Sequence, residues 1–480
     1  MATTPTVRTN TESARKSKTR RWLTFGAAGA ILFVALDCLG VWVLVKLERR
    51  YYSMDDIDAR LEVIRQQGLP TNEEELQSWY PDAPDEENAA LVFEKAFDAY
   101  HESEEVTEFF KDPASISGPL RTAELSQQGR QILSRYVADN TECLRLVRQA
   151  LEKPRCHFPL EFHIGSVYEK RYHVFEFRNL RWLLQYKTAL EIPGDPVAAW
   201  DTLLTEARLS QVLAGEPFDM APLFRGSLEN SVRVILESIL TRTESKDSEL
   251  VALSQILSRD DLQAAEFRIA AADRCLGIIL FYDFLFRPVS ISDLIRREDR
   301  VYPSEVPILS QLAQKQCLAA YLDFMEPVVE LSKLPRYLRD GRMDELGARV
   351  KDSAAGTLAN PTFDELARNV VSSTIETALH RINSMDRCCA NRTLMLAGIA
   401  IERYRIANGR LPETLDALVP QFLNAVPLDI YDGRPLRYLK RDKGYVVYSV
   451  YENERDDGGA EIHDSKESKE KGDLTFIVER

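Results

Sequence analysis

The chain has 480 residues, of which 45% are hydrophobic and 28% charged, and its formal net charge is −14. This balance is typical of a globular protein rather than an intrinsically disordered one. An acidic surface of this kind repels nucleic acid, so we expect no nucleic-acid partner. The seven cysteines include no Cys-x-x-Cys pair, which leaves zinc ribbons and thioredoxin-like redox motifs without support.

A long apolar run follows a basic tail at the start of the sequence. Residues 22–45 contain one charged side chain, Asp37, and exceed the 20 or so residues that cross a hydrocarbon core. Residues 1–21 carry six basic side chains and one acidic one. That excess predicts a cytoplasmic tail, an uncleaved transmembrane anchor over residues 22–46 and an exported C-terminal bulk. A cleaved signal peptide is the alternative, but its apolar region is usually shorter and ends at a small-residue site.

Asp37 lies inside this run, where a carboxylate costs about 2.5–3.5 kcal/mol on insertion scales. One interpretation is that Asp37 pairs with a basic residue on another membrane helix, which makes it a candidate contact to a membrane partner. The alternative is a protonated acid or a local water defect, tolerated because the rest of the run is strongly apolar.

Residues 47–360 are predicted to form one exported helical domain. Residues 47–80 have the composition of a short helical stalk, in which Gly68 and Pro70 end a first helix. Apolar residues at helical spacing predict further helices near 86–103, 195–215, 222–240, 260–285 and 306–331. Successive helices of this length indicate an array of antiparallel α-hairpins, and no fixed sequence period accompanies them.

The pattern changes after Pro361. A long helix is predicted over about 363–408, closed by Gly409, and strand-like runs follow at 435–439, 445–450 and 473–478. Because the apolar face of a small sheet needs a cover, we expect the long helix to pack on an antiparallel sheet. The predicted fold is therefore mainly α, with a single N-terminal transmembrane helix, an α-hairpin array and a small α+β domain over residues 361–480.

Motifs in this last domain carry a family resemblance. They are IERYRIANGRLPETLDAL at 401–418, VPLDIYDGRPLRY at 426–438, GYVVYSV at 444–450 and DDGG at 456–459. Together they resemble the globular domain of type II secretion major pseudopilins. The resemblance implies a long helix on a small sheet, a place in a bacterial envelope and a calcium site in the late loop.

The chain also departs from that family. The membrane helix of a pseudopilin leads straight into the globular domain, whereas a long helical region intervenes here, which favours a reused domain over a filament subunit. Four residues of the late loop, Asn453, Asp456, Asp457 and Asp473, offer the oxygen ligands that calcium prefers. A solvated acidic turn is the alternative, because clustered Asp and Gly are typical of exposed loops.

Two further segments, PDEENAA at 84–90 and LAGEP at 213–217, resemble a widespread set of uncharacterised bacterial membrane-anchored helical proteins that end in the same domain. That resemblance implies the architecture and brings no known activity. Together with the predicted anchor, it places the chain in the bacterial cytoplasmic (inner) membrane as a single-pass protein.

The weak catalytic candidates are His157, His163 and His173. Their spacings differ from the three or four residues of single-helix zinc motifs, and loop or half-buried histidines are the alternative. The sequence contains no Gly-x-Ser-x-Gly elbow, phosphate loop or dinucleotide fingerprint. Three hypotheses remain: a membrane-anchored scaffold or binding protein with a protein partner, a pseudopilin-like accessory of a secretion or envelope assembly, and a hydrolase centred on residues 157–173. The first needs no catalytic chemistry and fits the missing motifs.

Overall fold

The structure is a computed structural model that describes residues 55–80, 82–110, 125–158, 172–216, 221–259, 261–286, 311–339, 341–354, 363–461 and 472–480. Within these ranges the chain is mainly helical, with a small three-stranded antiparallel sheet at the C-terminus. The run at 22–45, with Asp37, lies outside the described residues. Among the helices that are described, none has the length and apolarity needed to span a membrane.

The described helices are α1 (Asp55–Gln66), α2 (Glu73–Trp79), α3 (Ala90–Asp98), α4 (Glu104–Phe109), α5 (Gln127–Asp139), α6 (Thr141–Leu151), α7 (Tyr172–Glu191), α8 (Pro196–Val212), α9 (Ala221–Arg242), α10 (Asp247–Leu257), α11 (Leu262–Phe286), α12 (Gln311–Leu331), α13 (Arg342–Ala354) and α14 (Phe363–Asn408). The strands are β1 (Arg437–Arg441), β2 (Gly444–Ser449) and β3 (Leu474–Glu479). Short 3₁₀ turns cover Leu213–Gly215, Arg336–Leu338, Leu415–Leu418 and Tyr451–Asn453.

The first helix belongs to the helical body and is not part of a free stalk. Ile57 and Leu61 of α1 are buried in a core shared with α11 and α12. Beside this core, the Arg60 guanidinium lies 2.8 Å from a carboxylate oxygen of Asp323 on α12. The stalk prediction is therefore wrong for the described part of residues 47–80, because α1 has an apolar face that must be covered.

Helix α3 begins at Ala90, later than the sequence predicts. The residues before it are drawn towards another segment, since Asn88 forms a parallel bridge with Arg155. The Ala89 N–H donates to the Arg155 carbonyl at 2.8 Å, and the Asn88 side-chain oxygen accepts from the Ala90 N–H at 3.0 Å. Asn88 thus sets where α3 can begin.

Neighbouring helices in the chain pack on one another in the middle of the molecule: α7 contacts α8, α8 contacts α9 and α11 contacts α12. Helix α8 begins as predicted, because the Asp195 side chain accepts from the Ala198 N–H at 3.0 Å. Gly277 lets α11 approach α12 closely, because a Cβ at this position would lie 2.1 Å from the Tyr321 ring.

Helix α14 connects the helical region to the sheet. It contacts α9 to α13 along its length and β2 and β3 near its end, and it stops at Asn408 before Gly409, whose φ is +68°. The sheet has the order β1-β2-β3, and Val447 faces Tyr438 on one side and Phe476 on the other. A Cβ at Gly398 would lie 2.3 Å from the Phe476 ring, so a glycine is needed where α14 meets the sheet.

Side chains of α9 close the outer edge of β3. They bond to alternate backbone groups of the strand: Arg233 donates to the Thr475 carbonyl at 2.6 Å, Glu237 accepts from the Ile477 N–H at 3.1 Å, and Thr241 accepts from the Glu479 N–H at 3.3 Å. The spacings match, because four helical residues rise about 6 Å and two strand residues about 6.6 Å. The sheet is therefore fixed to the helical region along this strand.

Asp429 organises the turn before β1. Its side chain is fully buried and accepts four hydrogen bonds, from the Tyr431 N–H (3.1 Å), the Ser449 hydroxyl (2.7 Å), the Val450 N–H (2.9 Å) and the Arg437 guanidinium (2.7 Å). One carboxylate thus ties the VPLDIYDGRP segment to β1 and to the end of β2. This role gives a physical reason for an acid inside that motif.

Candidate functional site

Two chain segments meet at His157. The Asn88 amide donates to the His157 carbonyl at 2.8 Å, and the His157 N–H donates to the Asn88 side-chain oxygen at 2.9 Å. Together with the Asn88–Arg155 bridge, these bonds hold the loop before α3 against the segment after α6. These bonds fix the backbone of His157 independently of the contacts that its ring makes.

The His157 ring is held from two sides. Its Nε2 lies 2.9 Å from a carboxylate oxygen of Asp82, and its plane stacks on the Tyr80 ring with 4.3 Å between centroids. The His157 side chain is only 10% exposed, whereas Asp82 is 80% exposed. Burial lowers the pKa of His157, and the charges of Asp82 and Glu216 oppose that effect. A neutral ring that donates Nε2–H to Asp82 fits this geometry.

Cys156 and Glu216 complete what we call the His157 cluster, made of Tyr80, Asp82, Cys156, His157 and Glu216. Burial raises the pKa of Cys156 well above its ordinary value, and the Glu216 charge adds to the rise. The thiol is therefore protonated and is a poor nucleophile. Among the described residues, His157 Nδ1 has no hydrogen-bond partner. The cluster thus contains an oriented histidine–aspartate pair, and no described hydroxyl or thiol lies on the histidine's other nitrogen.

The three-histidine prediction is not tested by the structure. His163 lies outside the described residues, and His173 lies in the first turn of α7, where its side chain is not described. Within the described ranges, no group of three or more His, Cys, Asp or Glu side chains is arranged to hold a metal ion. A site that uses all three histidines stays a prediction.

The late acidic loop brings its predicted residues together. The Asp473 carboxylate is fully buried and accepts from the Asp457 N–H at 3.3 Å and the Gly459 N–H at 2.7 Å. Asp457 in turn accepts from the Asn453 amide at 2.9 Å and the Gly472 N–H at 2.7 Å.

The fourth predicted residue of this loop, Asp456, accepts from the Tyr448 hydroxyl at 3.1 Å and the Gly458 N–H at 3.0 Å. Burial raises the pKa of Asp473, and the charges of Asp456 and Asp457 add to it. The carboxylates of this loop accept hydrogen bonds from the loop's own N–H groups, and these bonds hold the turn. Calcium at Asn453, Asp456, Asp457 and Asp473 stays a prediction.

Comparison with known proteins found no matching family model, no matching curated relative and no matching solved structure. The resemblance to pseudopilins therefore rests on the sequence motifs alone. By its fold, the described part of the chain is a mainly helical protein with a small C-terminal antiparallel sheet.

The sequence singled out two segments, and the fold brings one residue of each to His157, which the sequence does not indicate. PDEENAA contains Asn88, which binds the His157 backbone, and LAGEP contains Glu216, whose charge acts on His157 and Cys156. The contributions of Tyr80 and Asp82 were missed, because neither belongs to a spaced motif with His157. The sequence signal that could have indicated this cluster is the presence of polar residues in PDEENAA and LAGEP, the two segments that resemble other bacterial proteins.

Proposed function

We propose that the chain is a membrane-anchored, exported scaffold or binding protein, held in a bacterial inner membrane by residues 22–46. In this proposal residues 47–360 form an exported α-hairpin array and residues 361–480 a pseudopilin-like domain. The observation that carries it is the closure of the β3 edge by α9. A scaffold needs its parts in a fixed relation, and this contact supplies one.

Buried ion pairs around α14 also support a scaffold. The Arg381 guanidinium lies 2.7 Å from Asp273 on α11, and both side chains are almost fully buried. The Arg339 guanidinium lies 3.2 Å from Asp386, which is also buried. Removing one partner of such a pair costs about 3–5 kcal/mol, because the other charge stays buried. These contacts resist movement of α14 against its neighbours.

A pseudopilin-like accessory of a secretion or envelope assembly is the second candidate. The observation that favours it is the position of Asp429, an acid of the resembling motif, at the centre of the turn before β1. This candidate predicts recovery of secretion components with the protein, whereas a general scaffold predicts envelope partners of other kinds.

The hydrolase hypothesis is favoured only by the pairing of His157 with Asp82, which resembles the orientation of a general base. It requires a nucleophile on Nδ1. A screen of ester and amide substrates with the wild type and His157→Asn tests it, and activity that survives the substitution unchanged would exclude His157 as the base.

The test of the main proposal is a crosslinking pulldown of the full-length protein from membranes. We expect envelope or secretion components in the recovered complex, and recovery of the protein alone would contradict both interaction candidates. Glu237→Met removes the acceptor for the Ile477 N–H, so we expect weaker recovery if the fixed geometry matters. Glu244→Met, at a 78% exposed side chain of the same region, is the matched control.

Asp37 is tested in the same pulldown. If it pairs with a basic residue of a partner's membrane helix, Asp37→Leu removes that contact and the partner is lost. Equal recovery with Asp37→Leu and wild type would favour the water-defect interpretation.

A further inference from the structure

A group of arginine and aromatic side chains lies on α7 and the start of α9. We call it the Arg–aromatic patch: Phe175, Arg178, Arg181, Trp182 and Phe224. Phe175 is 42% exposed, and its ring meets the Phe224 ring edge-on with 5.8 Å between centroids. The Arg178 guanidinium lies 6.0 Å from the Phe175 ring centre, and that of Arg181 lies 4.2 Å from the Trp182 ring centre.

Neither arginine of the patch has an ion pair or a hydrogen bond within the described part of the chain. Other cations nearby do have acidic partners: Lys187, further along α7, pairs with Glu191, and Arg148 of α6 lies 2.7 Å from Asp201. Arg178 thus presents a positive charge with no acidic partner among the described residues, on a chain whose net charge is −14, and Arg181 lies beside it within reach of the charge of buried Glu206.

Arg181 is held in place. Its Nε is buried, while the residue as a whole is half-buried, and its guanidinium stacks on Trp182. Burial lowers the pKa of Arg181, the charge of Glu206 opposes that effect, and the neighbouring charge of Arg178 adds to it. An anion beside the two guanidiniums would relieve this repulsion. Because the stacked guanidinium is already ordered, it loses little side-chain entropy on binding a carboxylate.

The composition of the patch separates it from an ordinary solvated helix face. Arginine, tryptophan and other aromatic residues are enriched where protein interfaces concentrate their binding energy. The guanidinium fork matches a carboxylate, and the exposed Phe175 offers an apolar contact beside it. Inorganic phosphate would use only the charges, and an anionic membrane would be repelled by the acidic remainder of the surface.

We propose that the Arg–aromatic patch is the docking surface for an acidic segment of a partner protein. Carboxylates of that segment bind Arg178 and Arg181, and an apolar side chain between them packs on Phe175 and Phe224. This inference rests on the proposed scaffold or binding function and names the face of the helical region that meets the partner.

The binding test uses the full-length protein in detergent and a fluorescein-labelled peptide of sequence EELEELEE, followed by anisotropy at low and high salt. We expect salt-sensitive binding that weakens about tenfold or more with Arg178→Glu, equivalent to about 1.4 kcal/mol or more, and that Arg178→Lys largely retains. Arg208→Glu is the matched control, because Arg208 is an exposed arginine of α8 with no ion pair among the described residues.

If Arg178→Glu and Arg208→Glu weakened peptide binding equally, the proposed docking surface would be wrong and the binding would be a general effect of charge. Competition by inorganic phosphate at the same concentration as the peptide, or tighter binding to vesicles containing 30% phosphatidylserine, would overturn the choice of a protein segment. Arg178 is exposed, so we expect its variants to have the melting temperature of the wild type. Arg181→Gln is a second variant, and its melting temperature is measured before its binding is interpreted.

The membrane pulldown separates this inference from the proposed function. A partner recovered by the wild type and Arg208→Glu, lost with Arg178→Glu and displaced by the unlabelled peptide supports the patch. A partner recovered equally by all variants overturns the patch and leaves the scaffold function standing. No partner with the wild type overturns the scaffold function, and the peptide measurement still decides whether the patch binds acidic segments.

Discussion

Glu206 offers a quantitative test of the packing between α7, α8 and α9. Its side chain is fully buried, and within the described residues no hydrogen bond of good geometry reaches either carboxyl oxygen. Burial raises the pKa of Glu206 from 4.5 to about 8, while the nearby Ser231 hydroxyl and the Arg181 charge oppose the rise. At neutral pH the folded protein therefore keeps this carboxyl mostly protonated.

The consequence for stability follows from proton linkage. Between pH 4.5 and 8 the unfolded chain loses this proton and the folded chain keeps it, so the free energy of unfolding falls by about 1.4 kcal/mol per pH unit. The contribution is fully present below pH 4.5 and is lost as the pH rises through 8. Over this interval the loss from Glu206 amounts to about 5 kcal/mol.

Glu206→Gln removes the titration and keeps the shape. We expect the variant and the wild type to be similarly stable at pH 4.5, and the variant to be more stable by up to about 5 kcal/mol at pH 8. Urea unfolding of the full-length protein at several pH values measures the difference. Glu94→Gln, at an exposed carboxyl of α3, should show no such growth. A stability difference for Glu206→Gln that does not change with pH would refute the reasoning.

Three further outcomes are expected. Asp429→Asn should lower the free energy of unfolding by about 2–4 kcal/mol, because an amide cannot accept all four bonds and Arg437 loses its buried charge partner while keeping the pair with Asp432. Asp442→Asn in the exposed turn should change little, and urea unfolding measures both. Gly398→Ala should lower it by about 1–3 kcal/mol through contact with the Phe476 ring, and an unchanged melting temperature would contradict the packing of α14 on the sheet. If the late loop binds calcium, added calcium should raise the melting temperature of the wild type and not of Asp473→Asn, and no rise at millimolar calcium would exclude the site.

Local signals account for the elements that the sequence predicted well. Asp195 before Pro196 set the start of α8, and Gly409 set the end of α14, because each acts on backbone groups a few residues away. The start of α3 was predicted wrongly, because Asn88 is recruited by Arg155, a residue that is distant in the sequence. Capping patterns contain no information on such a contact.

The candidate sites also differ in whether their contacts are local in the sequence or formed by distant residues. The acidic loop could be predicted, because Asn453 to Asp457 are neighbours in the sequence and form turns with one another. The His157 cluster could be predicted only through His157 itself, since Asp82 and Glu216 reach it through the tertiary fold. Contacts made across long sequence separations depend on how helices pack, and no single-sequence pattern specifies them.

Helix α14 illustrates why such contacts matter here. It is largely buried where it is described, yet its polar residues bind three different elements: Arg381 binds Asp273 of α11, Arg392 binds Glu229 of α9 and Glu402 binds Arg480 after β3. Sliding α14 by one turn would break the buried Arg381–Asp273 and Arg392–Glu229 pairs, at about 3–5 kcal/mol for each. The pairs therefore select one position of the helix, the position at which Gly398 meets Phe476. The buried charges thus contribute a fixed geometry of α14, which the proposed scaffold would use to hold α7 and the sheet in one relation.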